Sequence, residues 1–168
     1  KSEAPIKIIK ILKKIRYIHG EKYSGKSHLS EIFIKKNKGI VLDPKKMQSN
    51  LEKNLRYHQN IILDDLDENV EEKRIFELIN FVDQSSKYLI INSLIPFNKM
   101  KFKLKDLTSR AKNCLDAKIE KPDDELIKVL MLKYLSDKQI KINAKLLEFA
   151  SKRITRSYPK IKEFICTI

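Results

Sequence analysis

Short apolar runs alternate with helix-like stretches through the first two thirds of the chain. The runs fall at residues 16–19, 40–42, 60–63, 88–92 and 115–119, and helical character falls at 28–36, 46–57, 72–84 and, briefly, 104–111. Strand, helix, strand at this rhythm predicts a parallel sheet covered on both faces. In the stretch 72–84, Ile75, Phe76, Leu78, Ile79 and Val82 recur near the helical period, so one face of that helix packs on the sheet. After Lys121-Pro122 no strand-like run returns. Pro122 followed by Asp123, Asp124 and Glu125 reads as a helix start, with acids against the positive end of the dipole. That helix is expected to turn Leu126, Val129, Leu130, Leu132 and Leu135 inward. Asn143 opens a second, with Leu146, Leu147, Phe149 and Ile154, and a last helical piece at 161–165 follows a break at Pro159. The pattern therefore predicts an α/β base over 1–120, built on about five parallel strands, and a small helical lid of two to three helices over 121–168. No internal repeat or low-complexity linker interrupts it.

Composition narrows the class. At 168 residues the chain buries roughly 70% of its surface on folding, so it needs no disulfide staples. Cys114 and Cys166 lack metal or redox spacing and read as the reduced cysteines of a cytoplasmic protein. No stretch is long enough to span a bilayer, because the apolar run 6–15 is interrupted by Lys7, Lys10, Lys13 and Lys14. The chain begins at Lys1 rather than methionine, as a fragment or a trimmed product would. A net charge of +14 raises direct nucleic-acid binding. Against that reading, the lysines are spread along the whole chain and aromatic residues do not interleave with them.

Candidate chemistry begins at Gly20, Glu21, Lys22, Tyr23, Ser24, Gly25, Lys26 and Ser27. This run fits the phosphate-binding pattern GxxxxGK[ST], with an apolar stretch before it and a helix-like stretch from His28 after it. A strand delivers the chain, the loop turns backbone N–H groups inward, and the following helix adds its positive end. Lys26 is the residue for the β/γ oxygens, and the Ser27 hydroxyl for Mg²⁺. Taken alone, the run also fits a lysine-rich turn that binds nothing.

A second signal is Ile61-Ile62-Leu63-Asp64-Asp65, an apolar run ending in two acids. Mg²⁺ demands oxygen ligands, which makes Asp64 the candidate metal-side carboxylate, and Asp65 the candidate for orienting an attacking water. Asp67, Glu68, Glu71 and Glu72 read as a solvated helix start. The next run ends in Asn92 and Ser93, where an amide or hydroxyl could reach a γ-phosphate or its attacking water. An ordinary strand end before Pro96 is an equal alternative. Arg110 closes the short helix before the fifth run and, in isolation, is a surface cation.

In order, Gly20 to Ser27 with His28-Leu29 behind it, Ile61 to Asp65, Leu104 to Arg110, Pro122-Asp123-Asp124 and Lys152-Arg153 to Arg156-Ser157 resemble the AAA+ module of the DnaA family of replication initiators. The details Leu-x-Asp-Leu-x-Ser-Arg and Pro-Asp-Asp-Glu-Leu are more similar still to the Hda group of DnaA-related regulatory inactivators in its α-proteobacterial form. The resemblance implies an α/β base with a helical lid, ADP or ATP with Mg²⁺, and action in the cytoplasm on replication initiation. It implies that Arg110 is an arginine finger presented to DnaA-bound ATP. It also implies attachment to the DNA-loaded sliding clamp through an N-terminal segment. Arg156 is the candidate lid residue at the nucleotide, although the lid arginine that senses the nucleotide in DnaA falls slightly later, near Pro159-Lys160. Self-association is a further open expectation. Where the DnaA pattern has glycine at the fourth loop position this chain has Tyr23, so the loop must turn without that freedom or bend differently. The regulator is expected to turn over ATP weakly or not at all. The alternative is an ATPase in its own right, a fragment of an initiator or a helicase-loader-like protein, with Asp65 supporting turnover.

Overall fold

The computed structural model describes residues 15–47, 51–114 and 116–167. Most of the apolar run 6–15, the N-terminal segment expected to bind the clamp, residues 48–50 of the predicted helix 46–57, and Leu115 of the fifth run lie outside the described residues. The chain divides into two compact units, Lys1–Gly20 with Gly25–Lys118, and Glu21–Ser24 with Ile119–Ile168.

The first unit is a five-stranded parallel sheet of β1 (Ile15–His19), β2 (Gly39–Leu42), β3 (Asn60–Leu66), β4 (Tyr88–Ser93) and β5 (Asp116–Lys118), in the order β2-β3-β4-β1-β5. The helices between them are α1 (Lys26–Asn37), α2 (Leu51–Leu55), α3 (Glu72–Gln84) and α4 (Lys105–Lys112). All five predicted strands are present. The helix expected over 46–57 is instead a 3-10 turn at Pro44–Lys46, begun by the Asp43 side chain accepting from Lys45 N–H, and the short α2.

The middle strands explain the continuous apolar runs. Ile61, Ile62 and Leu63 on β3 and Leu89, Ile90 and Ile91 on β4 are all buried, because helices cover both faces of a parallel sheet. Each such side chain contributes roughly 1.5–3 kcal/mol of transfer free energy. Helix α3 buries Ile75, Leu78, Ile79 and Val82, with Phe76 only partly covered. Strand β2 starts at a glycine for a steric reason. A Cβ on Gly39 would meet the Asn60 carbonyl oxygen at 2.3 Å.

Strand β3 does not stop at its carboxylates, as the sequence reading has it. The ladder to β4 pairs Leu63 with Ile91 and then Leu66 with Ser93, so three steps on β3 oppose two on β4. The extra residue makes a bulge, and Asp65 sits in it with φ 59°. Bulges of this kind re-aim side chains near functional sites.

The second unit consists of α5 (Asp124–Asp137), α6 (Ala144–Arg153) and α7 (Tyr158–Thr167) with the short segment Glu21–Ser24. Asp123 caps α5 by accepting from Leu126 N–H at 2.8 Å, and Asn143 caps α6 by accepting from Lys145 N–H at 2.9 Å. The inward face of α5 differs from the expectation. Leu126, Val129 and Leu132 are exposed, Leu130 is partly covered, and the core is made by Ile127, Met131 and Leu135 with Leu147, Ala150, Ile161 and Ile165. Residues 126–132 are apolar almost all round the helix, so spacing alone left the face undetermined, and the i, i+4, i+8 row won. On α6, Leu146 and Phe149 are likewise exposed, and the Arg153 guanidinium lies 3.6 Å from the Phe149 ring centroid. Helix α7 starts before the predicted 161–165, at Tyr158. Pro159 therefore falls in its first turn, where a missing N–H costs nothing.

This register yields a stability test. Met131→Ala is expected to destabilise the protein by about 2–5 kcal/mol, and Val129→Ala by only about 0.5 kcal/mol or less, measured by urea denaturation. The reverse ranking would place the other face of α5 in the core.

Candidate nucleotide-binding site

Helix α1 begins where the phosphate loop ends. Gly25 is its N-cap at φ 91°, a conformation that glycine takes without penalty, and no side chain caps the helix. The first turn carries no acid, and a Cβ built on Gly25 would meet nothing within 4 Å. An uncapped, acid-free helix start with open space before it is a ready place for an anion.

Lys26 follows. Its side chain is buried and its ammonium donates to the Gly20 carbonyl at 2.8 Å, closing the loop across six residues. Burial lowers its pKa, and the charges of Asp65 and Asp64 oppose that shift. Both carboxylates therefore act electrostatically on the loop lysine. Ser27 and His28 are exposed on the first turn of α1.

Between Gly20 and Gly25 the loop makes a tight turn, with Ser24 N–H donating to the Glu21 carbonyl at 3.2 Å. Tyr23 adopts φ 65°. The residue thus takes a left-handed conformation that glycine would adopt freely, at a cost of roughly 1–2 kcal/mol. Its ring offsets much of that cost, since Lys162 Nζ lies 4.0 Å and Lys22 Nζ 5.4 Å from its centroid, each worth about 0.5–1 kcal/mol at an exposed site. Glu21 accepts from Tyr158 N–H at 3.0 Å. The Ser24 hydroxyl is buried without a hydrogen-bond partner, an oxygen that a ligand could satisfy.

Asn92, at the end of β4, is fully buried. Its Nδ2 donates to Asp64 Oδ1 and to Ser30 Oγ, both at 2.7 Å, while its Oδ1 has no partner. The structure thus places Asn92 against the candidate metal carboxylate and fixes where that carboxylate sits. Ser30 was not singled out by the sequence reading. Its signal is position, because Lys26 and Ser30 are one turn apart and are the two buried residues of α1. Asp65, next to Asp64 in the bulge, is exposed.

For a divalent ion, no group of three or more His, Cys, Asp or Glu that could hold a metal occurs among the described residues. Asp64 and Ser27 are a carboxylate and a hydroxyl of the kind that Mg²⁺ uses when phosphates and water supply its remaining ligands.

The other predicted residues lie elsewhere. Arg110, in the last turn of α4, is docked on α3, where its Nη1 donates to Asp83 at 2.5 Å and its Nη2 to Asn80 at 2.7 Å. Its guanidinium lies 5.7 Å from the Phe76 ring centroid. Arg156 forms a two-pronged pair with Asp124, Nε to Oδ1 at 3.0 Å and Nη2 to Oδ2 at 2.9 Å, at an exposed position of the helical unit. Glu72, in the first turn of α3, holds the start of α4 by accepting from Lys103 N–H at 2.9 Å and Leu104 N–H at 2.8 Å. These backbone donors keep its carboxyl below the ordinary glutamate pKa.

No protein-family model matches the chain, and no curated protein sequence matches it. Solved structures do. Domain III of the Thermotoga maritima replication initiation protein DnaA superposes with a TM-score of 0.72 at 20% identity, over 97% of this chain and 79% of that one. A DNA replication initiation factor superposes with a TM-score of 0.71 at 18% identity, over 94% of this chain and 55% of that one. The replication initiator DnaA bound to AMPPCP and single-stranded DNA gives 0.66 at 19% identity, over 92% and 55%. The chain thus spans about half the length of two of these proteins. The chain shares the fold of these structures, with a five-stranded parallel sheet, flanking helices and C-terminal helical segments.

Two outcomes test the geometry. Ser30→Ala leaves a buried donor of Asn92 unpaired and is expected to cost about 1–3 kcal/mol in urea denaturation, with Ser30→Thr recovering part of it. For Glu72 the folded pKa is depressed, so its contribution is complete above the ordinary carboxylate range and is lost as pH falls through the lowered folded value. The Lys103 and Leu104 amide resonances are expected to titrate together with a midpoint below 4.5. A midpoint at or above that value would show that the carboxylate does not hold them.

Proposed function

We propose that the chain is a DnaA-related, nucleotide-binding regulator of chromosomal replication initiation in the cytoplasm. It holds ADP or ATP with Mg²⁺ on the phosphate loop and promotes hydrolysis of DnaA-bound ATP through Arg110 in trans. The observation that carries the nucleotide part is the start of α1, where a left-handed Gly25, an uncapped helix and the buried Lys26 converge. In this reading Gly20 to His28 bind the phosphates and Ser27 with Asp64 holds Mg²⁺, which neutralises charge on the phosphates. Asn92 positions Asp64 rather than touching the reacting atoms. Arg156, paired with Asp124, remains the candidate lid residue for the nucleotide in this reading.

The trans role of Arg110 is supported by its partial exposure and by the modest worth of its ion pair, although its bond to Asn80 and its contact with Phe76 must also be released. Its pair with Asp83 is half-exposed on both sides, and such pairs hold their partners by only about 0–1 kcal/mol. An arginine finger elsewhere contributes about 10³–10⁵ in rate, far more than the cost of release. DnaA and, through the N-terminal segment, the DNA-loaded sliding clamp are the partners that this reading requires. No helix among the described residues is long and apolar enough to cross a membrane.

One observation favours a second reading, an ATPase in its own right. Asp65 is exposed beside Asp64 in a bulge that holds it at positive φ, the kind of strained placement found near reacting groups.

The two readings separate in one phosphate-release assay, run with the chain alone and with DnaA-ATP. The regulator is expected to release phosphate only in the mixture and to lose at least about 10³-fold of that stimulation in Arg110→Ala. Equal release by the chain alone, abolished in Asp65→Asn, would replace it by the enzyme. Absence of any nucleotide retention, unchanged by Lys26→Ala, would remove both.

A further inference from the structure

A cluster that the nucleotide reading leaves unused lies where β3 and β4 begin. Lys53, Arg56, Tyr57, Phe81, Ser85 and Lys87 line an open cavity of about 820 Å³, within the range of roughly 300–1,000 Å³ typical of small-ligand sites. Three of the six carry a positive charge and none is a carboxylate. Lys87 is only 7% exposed, and its ammonium donates to the carbonyls of Arg56 and His58, each at 3.0 Å. It also lies 5.9 Å from the Phe81 ring centroid. This cation is therefore fixed in the wall, with two of its three N–H groups committed to the backbone. Lys53 and Arg56 are exposed, and neither makes an ion pair among the described residues.

Tyr57 stands beside them, 88% exposed, the most exposed of the large apolar side chains described. Along the sequence the aromatic and basic residues do not alternate, which argues against a stacking platform. Folding changes that, because the turn from α3 into β4 carries Phe81 and Lys87 to the end of α2. The resulting combination is specific. An arginine fork matches phosphate oxygens two at a time, a fixed ammonium adds a point charge, and a bare aromatic face accepts a planar ring.

We propose that this cavity binds a phosphate ester that carries a planar base, with the phosphate on Arg56, Lys53 and Lys87 and the base on Tyr57. The site is separate from the phosphate loop. All five strands run parallel, and the loop leaves the C-terminal end of β1, whereas the cavity opens at the N-terminal ends of β3 and β4. The proposal therefore does not rest on the nucleotide reading. The ester has two sources, a free mononucleotide or one unit of a single nucleic-acid strand.

Titration of the ¹⁵N-labelled full chain decides between them and tests the site. The probes are thymidine monophosphate and an oligothymidylate of about 12 nucleotides, within the roughly 4–16 that such sites occupy, at an ionic strength of about 0.15 M. The amides of residues 53–58 and 85–88 are expected to shift. Tyr57→Ala should weaken the response at least about fivefold, and Arg56→Glu more strongly. Both substitutions fall on exposed side chains, so retained dispersion in the spectra confirms the fold. A response to the oligonucleotide alone identifies the strand, and a response to the mononucleotide identifies the free ligand. If neither probe moves these amides, or if the shifts survive both substitutions, the site does not exist.

Discussion

The carboxamide of Asn92 is the group on which the candidate site depends. It is fully buried at the end of β4 and uses one nitrogen to reach Ser30 on α1 and Asp64 on β3. The helix behind the phosphate loop and the strand that carries the acidic pair are thereby tied to one point. A buried amide of this kind is costly to leave unpaired, so the geometry of loop and carboxylate is set together rather than separately. The bulge in β3 follows the same logic. One strand must present Asp64 to Asn92 and still bury Leu66, and the extra residue Asp65 absorbs the mismatch at positive φ.

Much of the fold was legible because the signals were periodic and local. The buried runs on β3 and β4 and the amphipathic face of α3 stand out from the sequence, and the structure matches them nearly residue for residue. What was hidden lacked contrast. Helix α5 is apolar on several faces, so which row turns inward is decided by α6 and α7 rather than by its own spacing. The 3-10 turn after β2 depends on Asp43 and Pro44, whose local bonding competed with a helical pattern. Pro159 looked like a break, but a proline in a first helical turn has no hydrogen bond to lose.

The site shows the same division. The phosphate loop and the acidic pair are contiguous motifs, so their residues could be named from the chain. Ser30 is harder to name, because its partner is on another element and its signal is only its place one turn after Lys26. Tyr23 is an instructive case, since its departure from glycine left two outcomes open. The residue adopts positive φ without glycine's freedom, and its ring lies near the ammonium groups of Lys22 and Lys162. The same holds for charge. A net charge of +14 is uninformative as a sum, and gains meaning only where folding gathers three cations around an exposed ring and keeps carboxylates out.

The uniform direction of the strands has a further consequence. The peptide units from Asn60 to Asp64 on β3 and from Tyr88 to Asn92 on β4 separate the end that carries the Asp64 and Asn92 pair from the end that opens beside Lys87. A ligand at one end therefore does not block the other by contact. The one irregularity in the ladder between those strands is the bulge at Asp65, and any ligand at one end that altered binding at the other would be altered in return by the same factor, as thermodynamic linkage demands.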